Sequence, residues 1–426
     1  MENSNNSINI IGGGFAGSEA ALTLARLGYS VNLFEARPDT KVEPFNNIEE
    51  FAYPVCSNSF KTYDIENAHG LLKAELMCMG SRLLKIAHKC RIPAGKSLTV
   101  DRELFSKSVT EEIYSNKNIK VERKNVSPDE LHGITIVASG PMSTNKITDF
   151  FRKNIGEEKF LYFYDAISPI ISFDSINMEK CFFGGRYDRG KDYINCPMLK
   201  EEYDAFYDAL VNADLVSEKP HEKMNLFSGC MPVEEIAKTG YGALRFGVMK
   251  PVGFDRRYFA VVQMRRENRE GTLYNIVGFQ TKLKFGSQKE VVSMIPGLEN
   301  AVIMRYGVMH RNFYIDSPRV LNEDLSMKNN DKIFLAGQIT GSEGYVEAIM
   351  GGLYAAYAVD SKIKGISMKM PSEKTMTGSL IRYITKNDES IKPMNANFGL
   401  LAGYHKKRKR ESAVNALILI SKWKSK

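Results

Sequence analysis

Cysteine is scarce in this chain, six in 426 residues, and no two stand in C-x-x-C spacing. That argues against a disulfide framework and against a zinc site of ordinary spacing. No apolar run reaches the length that spans a bilayer. The first six residues, Met-Glu-Asn-Ser-Asn-Asn, carry no Lys or Arg, so no signal peptide is expected and a reducing cytoplasm is the natural compartment. There is no repeat of fixed period and no low-complexity segment beyond one basic run. What is present is a globular composition, 43% hydrophobic and 25% charged, in a chain too long for one ordinary domain. Lys plus Arg outnumber Asp plus Glu by 58 to 50, a net charge of +8. Much of the excess sits in residues 405–410 (His-Lys-Lys-Arg-Lys-Arg) and in Lys422, Lys424 and Lys426. Such a tail suits a polyanion; a solvated tail that only aids solubility is the alternative.

The most informative segment comes first. Residues 8–11 read as a short buried strand, and Gly12-Gly13-Gly14-Phe15-Ala16-Gly17 supplies a Gly-x-Gly-x-x-Gly turn. Residues 18–27 read as a helix, and a second apolar strand, residues 30–34, ends on Glu35. Gly12 suits a tight turn, Gly14 a close approach to a pyrophosphate, and Gly17 close packing of helix on strand. The helix N-terminus offers N–H groups to phosphates. Glu35 follows about twenty residues after the glycines, where a carboxylate can grip ribose hydroxyls. A glycine triplet alone would be a weak signal; strand, turn, helix, strand and acid in order identify a dinucleotide site.

A second signature lies far downstream. Residues 332–335 read as a strand running through Ala336 into Gly337 and Gln338, followed by a turn through Gly341 and Gly344. From Tyr345 to Ile363 the spacing is helical, with Ala348, Gly351, Gly352, Ala355 and Ala356 as small residues. A flavin domain uses this arrangement to bring a second helix N-terminus to its cofactor. The expected architecture is therefore α/β: a Rossmann-like domain in two parts, residues 1–150 and 301–385. A smaller α+β domain, residues 151–300, interrupts it, and a basic C-terminal extension, 386–426, follows. Residues 134–141 form another buried strand with a small-residue turn facing the same site.

Two cysteines have company that could carry chemistry. Cys56 lies in Val55-Cys56-Ser57-Asn58-Ser59 among hydrogen-bonding side chains, which would suit a thiolate or a positioned proton-transfer group. Cys230 follows a glycine in a tight turn before Met231-Pro232-Val233-Glu234. Cys78 and Cys90 read as core, and Cys181 and Cys196 are undecided. The cations of residues 245–253 suit an anionic ligand or simply a surface loop. The Gly-Lys-Ser at residues 95–97 lacks the upstream glycine of a phosphate-binding loop.

Taken together these segments resemble the TrmFO family, bacterial folate- and FAD-dependent RNA uracil-5-methyltransferases with the fold of glucose-inhibited division protein A-like flavoproteins. The resemblance covers roughly residues 8–400. It rests on VCSNS at 55–59, Val100-Asp101-Arg102, Asn195-Cys196-Pro197-Met198, Gly229-Cys230-Met231-Pro232 and MKPVG at 249–253. To these are added NIVGFQ at 275–280, YGVMHRN at 306–312, residues 336–347 and PMNANFGL at 393–400. It implies 5,10-methylenetetrahydrofolate as carbon donor and reduced FAD as reductant, recharged by NAD(P)H, although no separate nicotinamide fingerprint is present. It further implies that one cysteine adds to C6 of the uracil while another assists proton transfer. The matching positions are Cys230 and Cys56, in an order left open. The uridine would be flipped out of structured RNA, and Tyr345 would complete a sandwich of pteridine and flavin. A flavin oxidoreductase of a small molecule is the alternative.

The chain also departs from the family pattern. It has Lys41-Val42-Glu43-Pro44-Phe45-Asn46-Asn47 where relatives have a His-rich stretch, Ala94-Gly95-Lys96-Ser97 for Ala-Gly-Gly-Ala, and Val248 for proline before Met249-Lys250. Leu401-Ala402-Gly403-Tyr404 replaces Leu-Pro-Pro-Leu. The kept segments serve chemistry and the changed ones face outward, so large-subunit ribosomal RNA is slightly preferred over the tRNA T-loop as target.

Overall fold

The computed structural model describes residues 7–40, 48–188, 190–216, 231–387 and 390–424. Cys230 and the segment 41–47 lie outside the described residues. A six-stranded sheet forms the larger unit, in the order Ser326–Met327, Asn330–Leu335, Thr135–Val137, Ile8–Ile11, Val31–Glu35, Ile119–Arg123. All neighbours are parallel except the first pair. Thr135–Val137 is flanked by Ile8–Ile11 and Asn330–Leu335, so the two ends of the chain build one sheet. The strand Ile8–Ile11 is buried along its whole length, as a parallel strand covered on both faces must be. The carboxyl ends of these strands form the crevice where open α/β sheets bind ligands.

Two helices pack over that crevice, Phe15–Arg26 and Tyr345–Ile363. They cross closely: a Cβ on Gly352 would lie 2.1 Å from the Ala16 carbonyl oxygen, and one on Gly351 2.8 Å from the Gly337 nitrogen. That contact explains the small residues of the second helix. The first helix begins at Phe15, three residues before the sequence-based boundary, because its opening turn contains Gly17.

Between the two parts the chain climbs a two-stranded ribbon, Phe160–Ala166 paired antiparallel with Met309–Ile315. Beyond the ribbon stands a second six-stranded sheet of Phe182–Gly184, Tyr193–Met198, Ala260–Arg266, Leu273–Ile276, Ile170–Ser172 and Ile303–Arg305. It has its own core, including Ile171, Ile194, Met264 and Tyr274. The strand Leu273–Ile276 ends just before Gly278 turns the chain at φ +77°. Ser59–Thr62, Arg91–Ile92 and Ser97–Val100 make a small third sheet beside the crevice.

The C-terminal segment is more ordered than a solvated tail. Lys409–Lys424 is a helix with Ala413, Ala416 and Ile420 buried, and the Trp423 indole N–H donates to the Lys369 carbonyl at 2.5 Å. Cys78, expected in the core, is exposed, while Cys90 is buried. Cys181 and Cys196 are both buried with their sulfurs 3.4 Å apart.

Candidate active site

A single cleft runs over the carboxyl ends of the parallel strands. Gly12, Gly13, Gly14, Phe15, Ala16 and Glu35 line it, together with Gly337, Gln338, Gly344, Tyr345 and Cys56. Gly17 lies beneath: a Cβ there would sit 1.8 Å from the Gly12 carbonyl oxygen. Gly12 has φ +102°, and its Cβ would strike the Ala138 carbonyl at 2.5 Å. Gly14 faces open space, with no protein atom beyond its chain neighbours within 4 Å of the point where a Cβ would stand. It caps the first helix without a side-chain hydrogen bond, as Gly344 caps the second. Two helix N-termini therefore open on one glycine-lined cleft, the arrangement a dinucleotide pyrophosphate requires. These residues fit FAD.

Glu35 is already engaged. Its carboxylate accepts from the Gly13 amide at 2.8 Å, and from the Arg37 amide, Nε and Nη2 at 3.0, 3.0 and 3.2 Å. Burial works against its charge, but Arg37 outweighs it and holds the carboxyl below its ordinary value. Ribose hydroxyls reach this carboxylate only in exchange for some of those donors.

In the same cleft, Cys56 is fixed by its neighbours. The Tyr345 hydroxyl accepts the amides of Cys56 and Ser57 at 2.8 and 3.0 Å. Arg102 donates to the Val55 carbonyl at 2.9 Å and also to that of Pro54. Glu267 holds Arg102 through Nε and Nη2 at 3.0 and 2.8 Å, both side chains being buried. Removing one partner of such a buried pair costs about 3–5 kcal/mol, so the loop's position is strongly determined. Arg265 adds bonds to Asn58 and Ser57 at 3.0 and 2.7 Å. The Tyr345 ring stacks on Phe15 with centroids 4.6 Å apart. One face of the ring is thus taken by Phe15, and the Tyr345 hydroxyl positions the cysteine loop.

The Cys56 thiol lies 3.4 Å from an Asp165 carboxylate oxygen, and that same oxygen is 3.9 Å from His310 Nε2. Burial pushes the thiol well above its ordinary value, and the charges of Asp165 and Glu343 push it further. The polar company of Cys56 is acidic, which of the two expected roles suits a positioned proton-transfer group rather than a thiolate. Burial also lowers His310, against the attraction of Asp165, which leaves the imidazole neutral. Glu343 is raised strongly by burial, then by Asp165 and Glu347; Gln338 donates to it. The metal-ligating atoms of Cys56, Asp165 and His310 lie within 4.8 Å of one another, a juxtaposition that motif spacing does not reveal. A cation there would first have to displace the thiol proton.

Sequence reasoning gave Asp165 no role, and took His310 and Asn312 (in YGVMHRN) and Glu343 (in residues 336–347) only as parts of motifs. His310 and Asn312 stand two apart on a strand, a period that puts both on one face; that was the available signal.

Sheet, paired helix N-termini and glycine-lined cleft define a flavoprotein of the GidA type, with a Rossmann-like FAD-binding domain. The family model of Glucose inhibited division protein A matches residues 7–367. The solved structure of Aquifex aeolicus GidA in its form II crystal superposes with a TM-score of 0.72, covering 99% of this chain and 73% of that one at 16% identity, which speaks for the fold alone. Curated relatives are much nearer. The methylenetetrahydrofolate--tRNA-(uracil-5-)-methyltransferase TrmFO of Fervidobacterium nodosum is 49% identical over 405 residues, covering 94% of this chain and 93% of its own. The enzymes of that name from Thermotoga sp. (strain RQ2) and Halalkalibacterium halodurans are each 48% identical, over 92% of both chains. The chain belongs to the TrmFO family.

Proposed function

We propose that this protein transfers a one-carbon unit from 5,10-methylenetetrahydrofolate to C5 of a uridine in tRNA, leaving 5-methyluridine. As a member of the TrmFO family it is a folate-dependent RNA (uracil-5-)-methyltransferase, with FAD and methylenetetrahydrofolate as its cofactors. NAD(P)H is the proposed source of electrons for the flavin. The tRNA substrate is taken from the names of the relatives, 47–49% identical. That finding displaces the preference for large-subunit ribosomal RNA drawn from the altered loops. Among the described residues no helix is long and apolar enough to cross a membrane.

The observation that carries the reading is Cys56 on the wall of the cleft lined by both glycine turns. Reduced FAD, when bound there, supplies the hydride that converts a methylene into a methyl group. The residues of the chain supply position and protons. Gly12, Gly13, Gly14, Phe15 and Ala16, with Glu35, and Gly337, Gln338 and Gly344 would hold the dinucleotide between the two turns. Cys56, held protonated by burial and by Asp165, which accepts its hydrogen bond, is the proton-transfer group. Cys230 is then the nucleophile for C6, because the uracil needs a thiolate and Cys56 is built not to be one.

The test is direct. Protein, NADPH, tRNA and methylenetetrahydrofolate labelled in the methylene carbon are incubated together, and nucleosides are analysed. Label at uridine C5 is the expected result. Label arriving only from S-adenosylmethionine would refute the proposal.

A further inference from the structure

The ribbon that links the two sheets carries a side chain that the reaction above leaves unused. In its antiparallel register His310 stands opposite Asp165, and Asn312 opposite Phe163. His310 and Asn312 are two apart on one strand, share a face, and both line the cleft, as Asp165 does. Asn312 is 1% exposed. Among the described residues neither its Oδ1 nor its Nδ2 has a hydrogen-bond partner, nor has Nδ1 of His310. Burying a carboxamide with both ends idle is unfavourable, and a leucine of similar size would avoid the cost. The group is therefore matched to something that enters the cleft.

Its chemistry narrows what that is. A carboxamide presents one acceptor and one donor side by side in a plane. A phosphate or carboxylate would call for two donors, a cation for two acceptors, and an apolar ring for neither. The complement is a ring N–H next to a ring C=O, the edge of a cyclic amide. We propose that Asn312 is a recognition residue for this edge on a flat heterocycle seated in the cleft. Its Oδ1 accepts the ring N–H and its Nδ2 donates to the ring carbonyl. The proposal rests on the function above and deepens it, because isoalloxazine, pterin and uracil rings all carry such an edge. The ribbon is a suitable mount: seven consecutive cross-strand pairs hold Asn312, so the amide is placed by backbone rather than by a flexible loop.

Asn312→Leu and Asn312→Asp in the full chain test this. Three affinities are measured: FAD by titration of flavin-stripped protein, methylenetetrahydrofolate by its KM, and tRNA by its KM. The thermal midpoint of the stripped protein is recorded alongside. The leucine variant should weaken one of the three ligands tenfold or more while the stripped protein melts no lower than wild type. The aspartate variant, which keeps an acceptor but loses the donor, should weaken the same ligand. The ligand affected identifies the ring: flavin, pterin or uracil. All three affinities within twofold of wild type would overturn the proposal. So would a leucine variant whose stripped form melts several degrees lower, since the amide would then be a structural partner. Wild-type protein that binds FAD but transfers no methyl group would instead refute the reaction, leaving the FAD measurement to judge Asn312.

Discussion

Gly14 and Cys56 sit in the same cleft but answer to different physics, and their substitutions should separate cofactor binding from chemistry. Gly14 has φ −75° and ψ −166°, a backbone that any residue adopts, and a Cβ there meets no protein atom within 4 Å beyond its chain neighbours. Gly14→Val should therefore fold normally, place its branched side chain where the pyrophosphate belongs, and yield colourless protein. Cys56→Ala should do the opposite. The thiol touches Asp165 but takes no part in the glycine turns, so flavin should stay bound. Methyl transfer should fall roughly 10²–10⁴-fold, the usual worth of a positioned proton-transfer group, and Cys230→Ala should likewise remove activity without removing colour. Absorbance near the flavin maximum together with the labelled-carbon assay reads both quantities. Normal methylation by both cysteine variants would refute their assignment, and yellow Gly14→Val protein would refute the pyrophosphate's position.

At the level of elements, the parts legible in the sequence were those whose signals are local. The turn from Gly12 to Gly17 and the helix Tyr345–Ile363 were legible because a glycine turn and a 3.6-residue spacing are written within a few neighbours. The cluster of Cys56, Asp165 and His310 was not, because it arises from strand pairing between segments distant in the chain, and register leaves no mark on either alone. The choice between the two roles of the thiol was illegible for the same reason: besides burial, the acids that raise it are Asp165 on the ribbon and Glu343. Long-range contacts also set the pH response of an element with no catalytic part. Glu75, fully buried on the helix Ala68–Met79, accepts the amides of Met376 and Thr377 and the Thr377 hydroxyl at 2.7, 2.8 and 2.7 Å, tying down the start of the helix Met376–Thr385. Burial outweighs these donors and raises its carboxyl from 4.5 to about 7. The folded state thus holds a proton that the unfolded chain has released between those values. Its contribution is present in full below pH 4.5 and is lost as pH rises through 7, a change on the order of 3 kcal/mol. Urea unfolding followed from pH 4.5 to 8 should show this decline, and Glu75→Gln should flatten it. An unchanged slope in the variant would show that other groups set it.

For the whole molecule, charge and shape bear on which RNA is held, and they bear on it unequally. Residues 405–410 lead into a helix docked against the larger unit through Ala413, Ala416 and Ile420, so the basic run is carried at a fixed place instead of trailing in solvent. Lys406, Lys407, Arg408 and Arg410 remain at the surface, where cations meet phosphates and lend affinity that salt weakens without reading sequence. A fixed basic patch suits a compact folded RNA, but ribosomal RNA and tRNA share that backbone. The choice between them therefore rests on the relatives, which share close to half their residues with this chain along nearly its full length and bear the name of tRNA enzymes. Deleting the gene and measuring nucleosides in purified tRNA and ribosomal RNA by mass spectrometry should show 5-methyluridine lost from tRNA and unchanged in ribosomal RNA. Restoring the wild-type gene should restore it, and the Cys56→Ala gene should not. Loss confined to large-subunit ribosomal RNA would instead mean that the changes at residues 94–97, Val248 and 401–404 have redirected the same chemistry to a different RNA.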